Sequence, residues 1–289
     1  MQNFKQIDVA HSPDADDIFM YMAIKFGWVS AKNLRFSNIA LDIQTLNDEA
    51  LKGTYTATAI SFALYPLIKD DYSLLRTAVS FGNGYGPKLV KKKDTKLKRN
   101  FKVALSGQHT TNALLFKIAY PDARIVYKNF LDIEKAVVDG EVDAGVLIHE
   151  SILEFSEELC VEREIWDIWC ELAGEIPLPL GGMAIRRSLP LTDAIMTEEV
   201  LTKAVKIATS HKSFLSHMLM ERDLIRVDKE KLKTYLNMYA NDDSISMNDI
   251  ALNSLDKLFE IGYKSGVYPE LIKAADYLIP KEYNDLRFS

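Results

Sequence analysis

A chain of 289 residues with 48% hydrophobic and 26% charged residues is ordinary globular material, long enough for one large core or two smaller ones. Its formal net charge of −6 repels a phosphate backbone, which argues against nucleic acid as a partner. Met1 to Asp8 carries no basic start or cleavage site, and no apolar run approaches the roughly 18 residues of a membrane span, so a cytoplasmic protein without membrane insertion is expected.

Taken in chain order, Ile7 to His11 reads as a short strand. Ser12-Pro-Asp-Ala-Asp-Asp-Ile-Phe19 then feeds a helix that stops near Gly27, with Ser, Pro and Asp where caps and first-turn residues belong. Phe36 to Ile43 looks like a second strand, Thr45 to Lys52 a helix opened by Thr45 or Asn47, and Thr56 to Ser61 a third strand. This alternation has the spacing of βαβ units. Ser80 to Pro87 holds three glycines and a proline and reads as a loop before the strand that starts at Lys88; Lys91 to Asn100 reads as a solvated turn.

A second βαβ set follows: strand Phe101 to Leu105, connection Ser106 to Thr111, helix Asn112 to Tyr120 and strand Arg124 to Tyr127. Ile133 to Val138 is a helix ended by Gly140, and Val142 to Ile148 a buried strand delivering His149 and Glu150 at its carboxyl end, where open α/β sheets bind ligands. Leu178 to Arg186 is a second glycine-bearing connection into a strand. From about Thr197 to the end the pattern is helical, with Leu201, Val205, Ile207, Phe214, Leu215, Met218 and Leu219 on a core-facing stripe. Crossings near Pro87 and Gly182 predict a discontinuous first domain (1–88 and 184–289), an inserted second domain (89–183) and a cleft between them.

Few residues in this chain suit chemistry. His149, held at a strand's end, suits proton abstraction, although a structural histidine fits the same position. In Ser106 to Thr111, Thr110 can cap the following helix, leaving the amides of Thr110, Thr111 and Asn112 to hold a carboxylate or phosphate; an ordinary cap fits equally. Asp14, Asp16 and Asp17 lack the glycine and distal glutamate of a calcium loop and read as an acidic first helical turn rather than a metal cluster. His211 and His217, six apart, share no helix face for a metal, and no nucleotide-binding glycine loop occurs. Cys160 and Cys170 have neither disulfide-framework nor zinc spacing and read as reduced core residues.

Several segments together resemble one family: Ser12-Pro with Asp17 and Phe19, Ile60-Ser61, Gly84-Tyr-Gly-Pro87, His109-Thr-Thr111, Gly140 through Ile148-His-Glu150, and Leu178-Pro-Leu-Gly181. The chain is similar to the 1,4-dihydroxy-6-naphthoate synthases of the futalosine route to menaquinone. The resemblance implies an α/β, two-domain fold of the type II periplasmic-binding-protein kind, with a ligand cleft between domains and a helical C-terminal part. It implies a lyase that cleaves cyclic dehypoxanthinyl futalosine, a small anionic substrate, to 1,4-dihydroxy-6-naphthoate and a three-carbon fragment without metal or organic cofactor. His149 matches the family's proton acceptor, with Ile60, Ser61, Thr110, Thr111 and Asn112 toward the substrate.

One departure bears on the substrate. Where the family commonly shows Ser-Pro-Cys-Pro-Asn-Asp, this chain has Ser12-Pro-Asp-Ala-Asp16-Asp17, and two added carboxylates in a cleft disfavour an anion unless they are paired. Two other readings stay open: chorismate dehydratase on the same fold, against which the His149 and Thr-Thr segments speak, and a non-catalytic small-molecule-binding protein.

Overall fold

The computed structural model describes residues 4–221 and 227–282, and in it the chain builds two sheets flanked by helices. β1 (Lys5–His11) buries Ile7, Val9 and Ala10 and leads into α1 (Ala15–Lys25). β2 (Leu34–Ala40), α2 (Ile43–Leu51) and β3 (Ala57–Ser61) follow, with β2 and β3 pairing parallel to either side of β1. β3 is buried at every residue, as a strand covered on both faces must be. A short 3₁₀ turn, α3 (Tyr65–Ile68), β4 (Tyr72–Leu74) and β5 (Ser80–Gly82) complete this part of the chain, so the segment read as a loop before Pro87 begins as a strand.

The second sheet is made by β6 (Lys88–Lys92), β7 (Lys102–Leu105), α4 (Thr111–Ala119), β8 (Arg124–Tyr127), α5 (Phe130–Val138), β9 (Ala144–Leu147) and β10 (Leu159–Glu164), in strand order β10-β6-β9-β7-β8. β7, β8 and β9 run parallel, and β6 and β10 are antiparallel additions. After α6 (Ile165–Ala173) the chain re-enters the first sheet as β11 (Leu178–Arg186), between β3 and β4 and also paired with β5. The return therefore precedes the expected crossing near Gly182: Gly181 and Gly182 sit inside β11 opposite Ser61 and Ile60, and the expected junction at 183/184 falls within this strand. Gly182 marks close packing, since a Cβ there would come within 2.5 Å of the Phe62 ring.

Helices α7 (Leu191–Ser210), α8 (Lys212–Glu221), α9 (Lys229–Tyr239), α10 (Asp242–Ile245) and α11 (Asp249–Lys264) cover the first sheet and one end of the cleft. Leu201, Val205, Leu215 and Leu219 are buried as the stripe predicts, but Phe214 is 53% exposed and packs on Trp28 at the surface. Helix does not continue to the end. Beyond Lys264 there is a 3₁₀ turn at Ala274–Tyr277, and Leu278 bridges Leu74 of β4; the last expected helical residues, 283–289, lie outside the described ones. Cys160 and Cys170 are free and only half-buried, because it is Trp169 that fills the core beneath α6.

α2 starts earlier than its sequence suggested. Asp42, not Thr45 or Asn47, is the N-cap, its carboxylate accepting from the amides of Gln44 and Thr45. Asn47 instead turns inward and exchanges two hydrogen bonds with Ser61, accepting from its amide (2.9 Å) and donating to its hydroxyl (3.0 Å).

Candidate active site

The carboxyl ends of β1, β3, β7 and β9 point toward one cleft. His149, Ile60, Ser61, Thr110, Thr111 and Asn112 all line it. His149 follows β9 and opens a 3₁₀ turn with φ of +57°, a region that residues with a side chain rarely adopt. Ala78, with φ of +53°, lines the same cleft. Strained backbone is thus gathered where ligand would sit, as it commonly is at functional sites.

The His149 ring packs edge-on against Phe130 with centroids 4.8 Å apart, and its Nδ1 lies 2.7 Å from Asp14 Oδ2. Nε2 is out of solvent and has no hydrogen-bond partner among the described residues. Burial opposes charge on this ring, but the Asp14 carboxylate, helped by Glu150 and Asp16, outweighs it and pushes the pKa up to about 9. In its charged form the ring offsets part of the carboxylate charge around it.

That charge comes from the connection between β1 and α1. Asp14 is 3% exposed and Asp16 6%. The Ser12 hydroxyl donates to Asp14 Oδ2, the Ser12 amide to Asp17 at 2.8 Å, and the Tyr235 hydroxyl of α9 to Asp16 at 3.0 Å. Glu150 reaches across to accept from the amide of Ala15, the first residue of α1, where the helix dipole favours a carboxylate. Burial and the neighbouring Asp14 push the Asp16 carboxyl up to about 7, and burial with Asp16 and Asp14 raises Asp17 well above the carboxylate range. The carboxylates that depart from the family pattern do line the cleft, and they are paired there. Among the described residues no three His, Cys, Asp or Glu side chains are grouped to hold a metal ion.

The connection between β7 and α4 is neutral. Thr110 is the N-cap of α4, its hydroxyl accepting from the Ala113 amide and donating within the turn. Thr111 Oγ1 donates to the carbonyl of Leu180 in β11 and accepts from the amide of Ala63, so it ties the second sheet's helix to the first sheet. Both threonine hydroxyls are thus occupied by the protein. What faces the cleft is the first turn of α4, whose amides at Thr111 and Asn112 have no intrahelical partner. Beside it Ser106 Oγ is buried and unpaired among the described residues.

Sequence reasoning passed over Ser106, Tyr235 and Tyr239, all of which line the cleft. The two tyrosines arrive on α9, whose polar and apolar spacing announces only an amphipathic helix. The α9 end is also tied to the first crossing: the Tyr85 hydroxyl donates to the Met238 carbonyl and its ring meets Tyr239 edge-on at 5.3 Å. For Ser106 the signal was present, a hydroxyl at a parallel strand's carboxyl end beside Gly107. There the backbone comes so close to Gln44 of α2 that a Cβ would lie 2.0 Å from its amide oxygen.

Residues 7–264 match the family model described as menaquinone biosynthesis. The chain belongs to the menaquinone biosynthesis family. Curated relatives of this family member include the 1,4-dihydroxy-6-naphthoate synthases of Thermus thermophilus, 27% identical over 86% of this chain and 90% of theirs, and of Streptomyces coelicolor, 26% identical over 92% and 95%. Among solved structures, a protein of Archaeoglobus fulgidus is 34% identical and superposes with a TM-score of 0.84 over 91% of this chain and 98% of its own. The alkanesulfonate-binding protein SsuA of Xanthomonas axonopodis superposes with a TM-score of 0.69 at 9% identity over 94% of this chain and 97% of its own, a likeness of fold alone. The architecture is thus the two-domain periplasmic-binding-protein type, here in an enzyme of menaquinone biosynthesis. Among the described residues no helix is long and apolar enough to cross a membrane.

Proposed function

We propose that this protein is a carbon-carbon lyase that cleaves cyclic dehypoxanthinyl futalosine to 1,4-dihydroxy-6-naphthoate and a three-carbon fragment, in the cytoplasm, with His149 as general base. The observation that carries this reading is the His149 Nε2, buried in the cleft and without a partner among the described residues, beside the first turn of α4. The neutral ring takes a substrate hydroxyl proton; the O–H electron pair becomes a carbonyl, the adjacent carbon-carbon bond breaks, and its pair passes to the aromatic fragment, which is then protonated. The α4 amides and the Ser106 hydroxyl hold the substrate's carboxylate, and Ser61, set in place by Asn47, faces its hydroxyl-bearing part. The occupied hydroxyls of Thr110 and Thr111 leave the backbone of that turn, rather than its side chains, to meet the anion.

We further propose the division into a first domain built on β1 to β5 with β11 and the C-terminal helices, and a second built on β6 to β10. The test is incubation of the purified protein with cyclic dehypoxanthinyl futalosine, followed by mass-resolved chromatography. Appearance of 1,4-dihydroxy-6-naphthoate supports the lyase; saturable binding without turnover leaves a small-molecule-binding protein and overturns it.

A further inference from the structure

Asp14 and His149 approach the cleft from different sheets, and their contact is one of the links between the two. Asp14 Oδ2 takes two donors, the Ser12 hydroxyl and His149 Nδ1. A carboxylate can only accept, so it commits Nδ1 to carrying a proton. When the ring is neutral its lone pair must then sit on Nε2, which lies in the cleft without a partner among the described residues. A free histidine side chain prefers the Nε2–H tautomer, which would present an N–H where a base is needed. The Phe130 ring packs edge-on against the same imidazole.

We propose that Asp14 is a positioning residue that holds His149 in the Nδ1–H tautomer and thereby keeps the Nε2 lone pair aimed at the substrate hydroxyl. The chemistry of this role rests on the lyase reading, whereas the tautomer itself does not. As the substrate O–H breaks and Nε2–H forms, the positive charge appearing on the ring lies against the Asp14 carboxylate. Other charges face the ring as well: Glu150 beside it, Asp16 and Asp17 on α1, and the Tyr235 hydroxyl of α9 through Asp16. Asp14 thus sets the tautomer and is the foremost of several carboxylates that raise the ring's pKa.

The test is ¹⁵N imidazole NMR on the empty full-length protein, His149 being assigned among the five histidines with a His149→Gln variant. Wild type titrated above pH 9 is expected to show a neutral His149 ring protonated on Nδ1. In Asp14→Asn, where the amide can donate to Nδ1, the proton is expected on Nε2 and the titration midpoint lower by about one pH unit or more. Turnover in that variant is expected to fall between about 10²- and 10⁴-fold in kcat with KM within a few-fold, its acid limb displaced to lower pH. A wild-type neutral ring protonated on Nε2 overturns the proposal even if the variant fails to fold. So does an Asp14→Asn protein with unchanged tautomer and midpoint, or a loss confined to KM. Should wild type show the Nδ1–H tautomer but no turnover of the cyclic substrate, the lyase reading falls and the Asp14–His149 arrangement stands.

Discussion

Two connections occupy the same topological place in the two halves of this molecule. Ser12 to Asp14 joins β1 to α1, Ser106 to Thr110 joins β7 to α4, and each opens a helix toward the cleft from the carboxyl end of a parallel strand. Their chemistry is opposite. The first fills its helix start with buried carboxylates, closes it with Glu150 from the other sheet, and surrounds the imidazole of His149. The second puts only hydroxyls and amides there and leaves the first-turn amides and Ser106 Oγ open. Under the proposed lyase reading, the acid-lined start handles the proton and the bare start receives the substrate's anion.

The largest effect should come from the proton-handling side. His149→Ala is expected to lower kcat by about 10²- to 10⁴-fold, the range for loss of a general base. Because the wild-type ring must be neutral to act, kcat/KM should rise with pH toward about 9. Activity that is flat from pH 6 to 9, or a His149→Ala enzyme within ten-fold of wild type, would remove the histidine from the chemistry.

An intermediate effect is expected at Asp16. Its carboxyl is raised to about 7, so the native protein keeps a proton that the unfolded chain releases near pH 4, and stability falls between those values. Asp16→Asn keeps an acceptor for the Tyr235 hydroxyl and removes that cost. The variant should be more stable than wild type at pH 8, with the difference shrinking as the pH falls toward 4. Thermal melts at the two pH values decide this, and parallel stability curves would show that the acids around α1 carry no such strain.

The smallest effect should come from the anion-receiving side. Ser106 Oγ is buried without a partner among the described residues, so Ser106→Ala is expected to hold or slightly raise the melting temperature. The same change should raise KM roughly ten-fold, about 1.4 kcal/mol of lost substrate contact, with kcat little altered. A drop in stability with KM unchanged would return Ser106 to a structural role and blur the contrast between the two connections.

Much of this contrast was legible in the chain itself. The alternation of strands and helices, the acidic run after Ser12, the Thr110 cap and the delivery of His149 by a buried strand all follow from local periodicity and capping, which are written in neighbouring residues. Local rules also misled. Thr45 and Asn47 satisfy the composition of an N-cap, but Asp42 stood one turn earlier and Asn47 had a better use beneath Ser61. Gly181 and Gly182 carry the composition of a crossing, yet they answer to the close approach of Ile60 and Phe62 across β11.

By itself the sequence determined the fold class, the two strand-to-helix connections and the residue that presents an imidazole at a strand's end. Only the tertiary structure decided that Asp14 meets His149, that Glu150 caps α1, that Tyr235 comes from α9 to Asp16, and that the hydroxyls of Thr110 and Thr111 are spent on the protein while that of Ser106 finds no partner among the described residues. Spacing along a chain records which side chains share a face of one element. Pairing between elements depends on how two sheets and a late helix are set against each other, and that is decided by packing over the whole core.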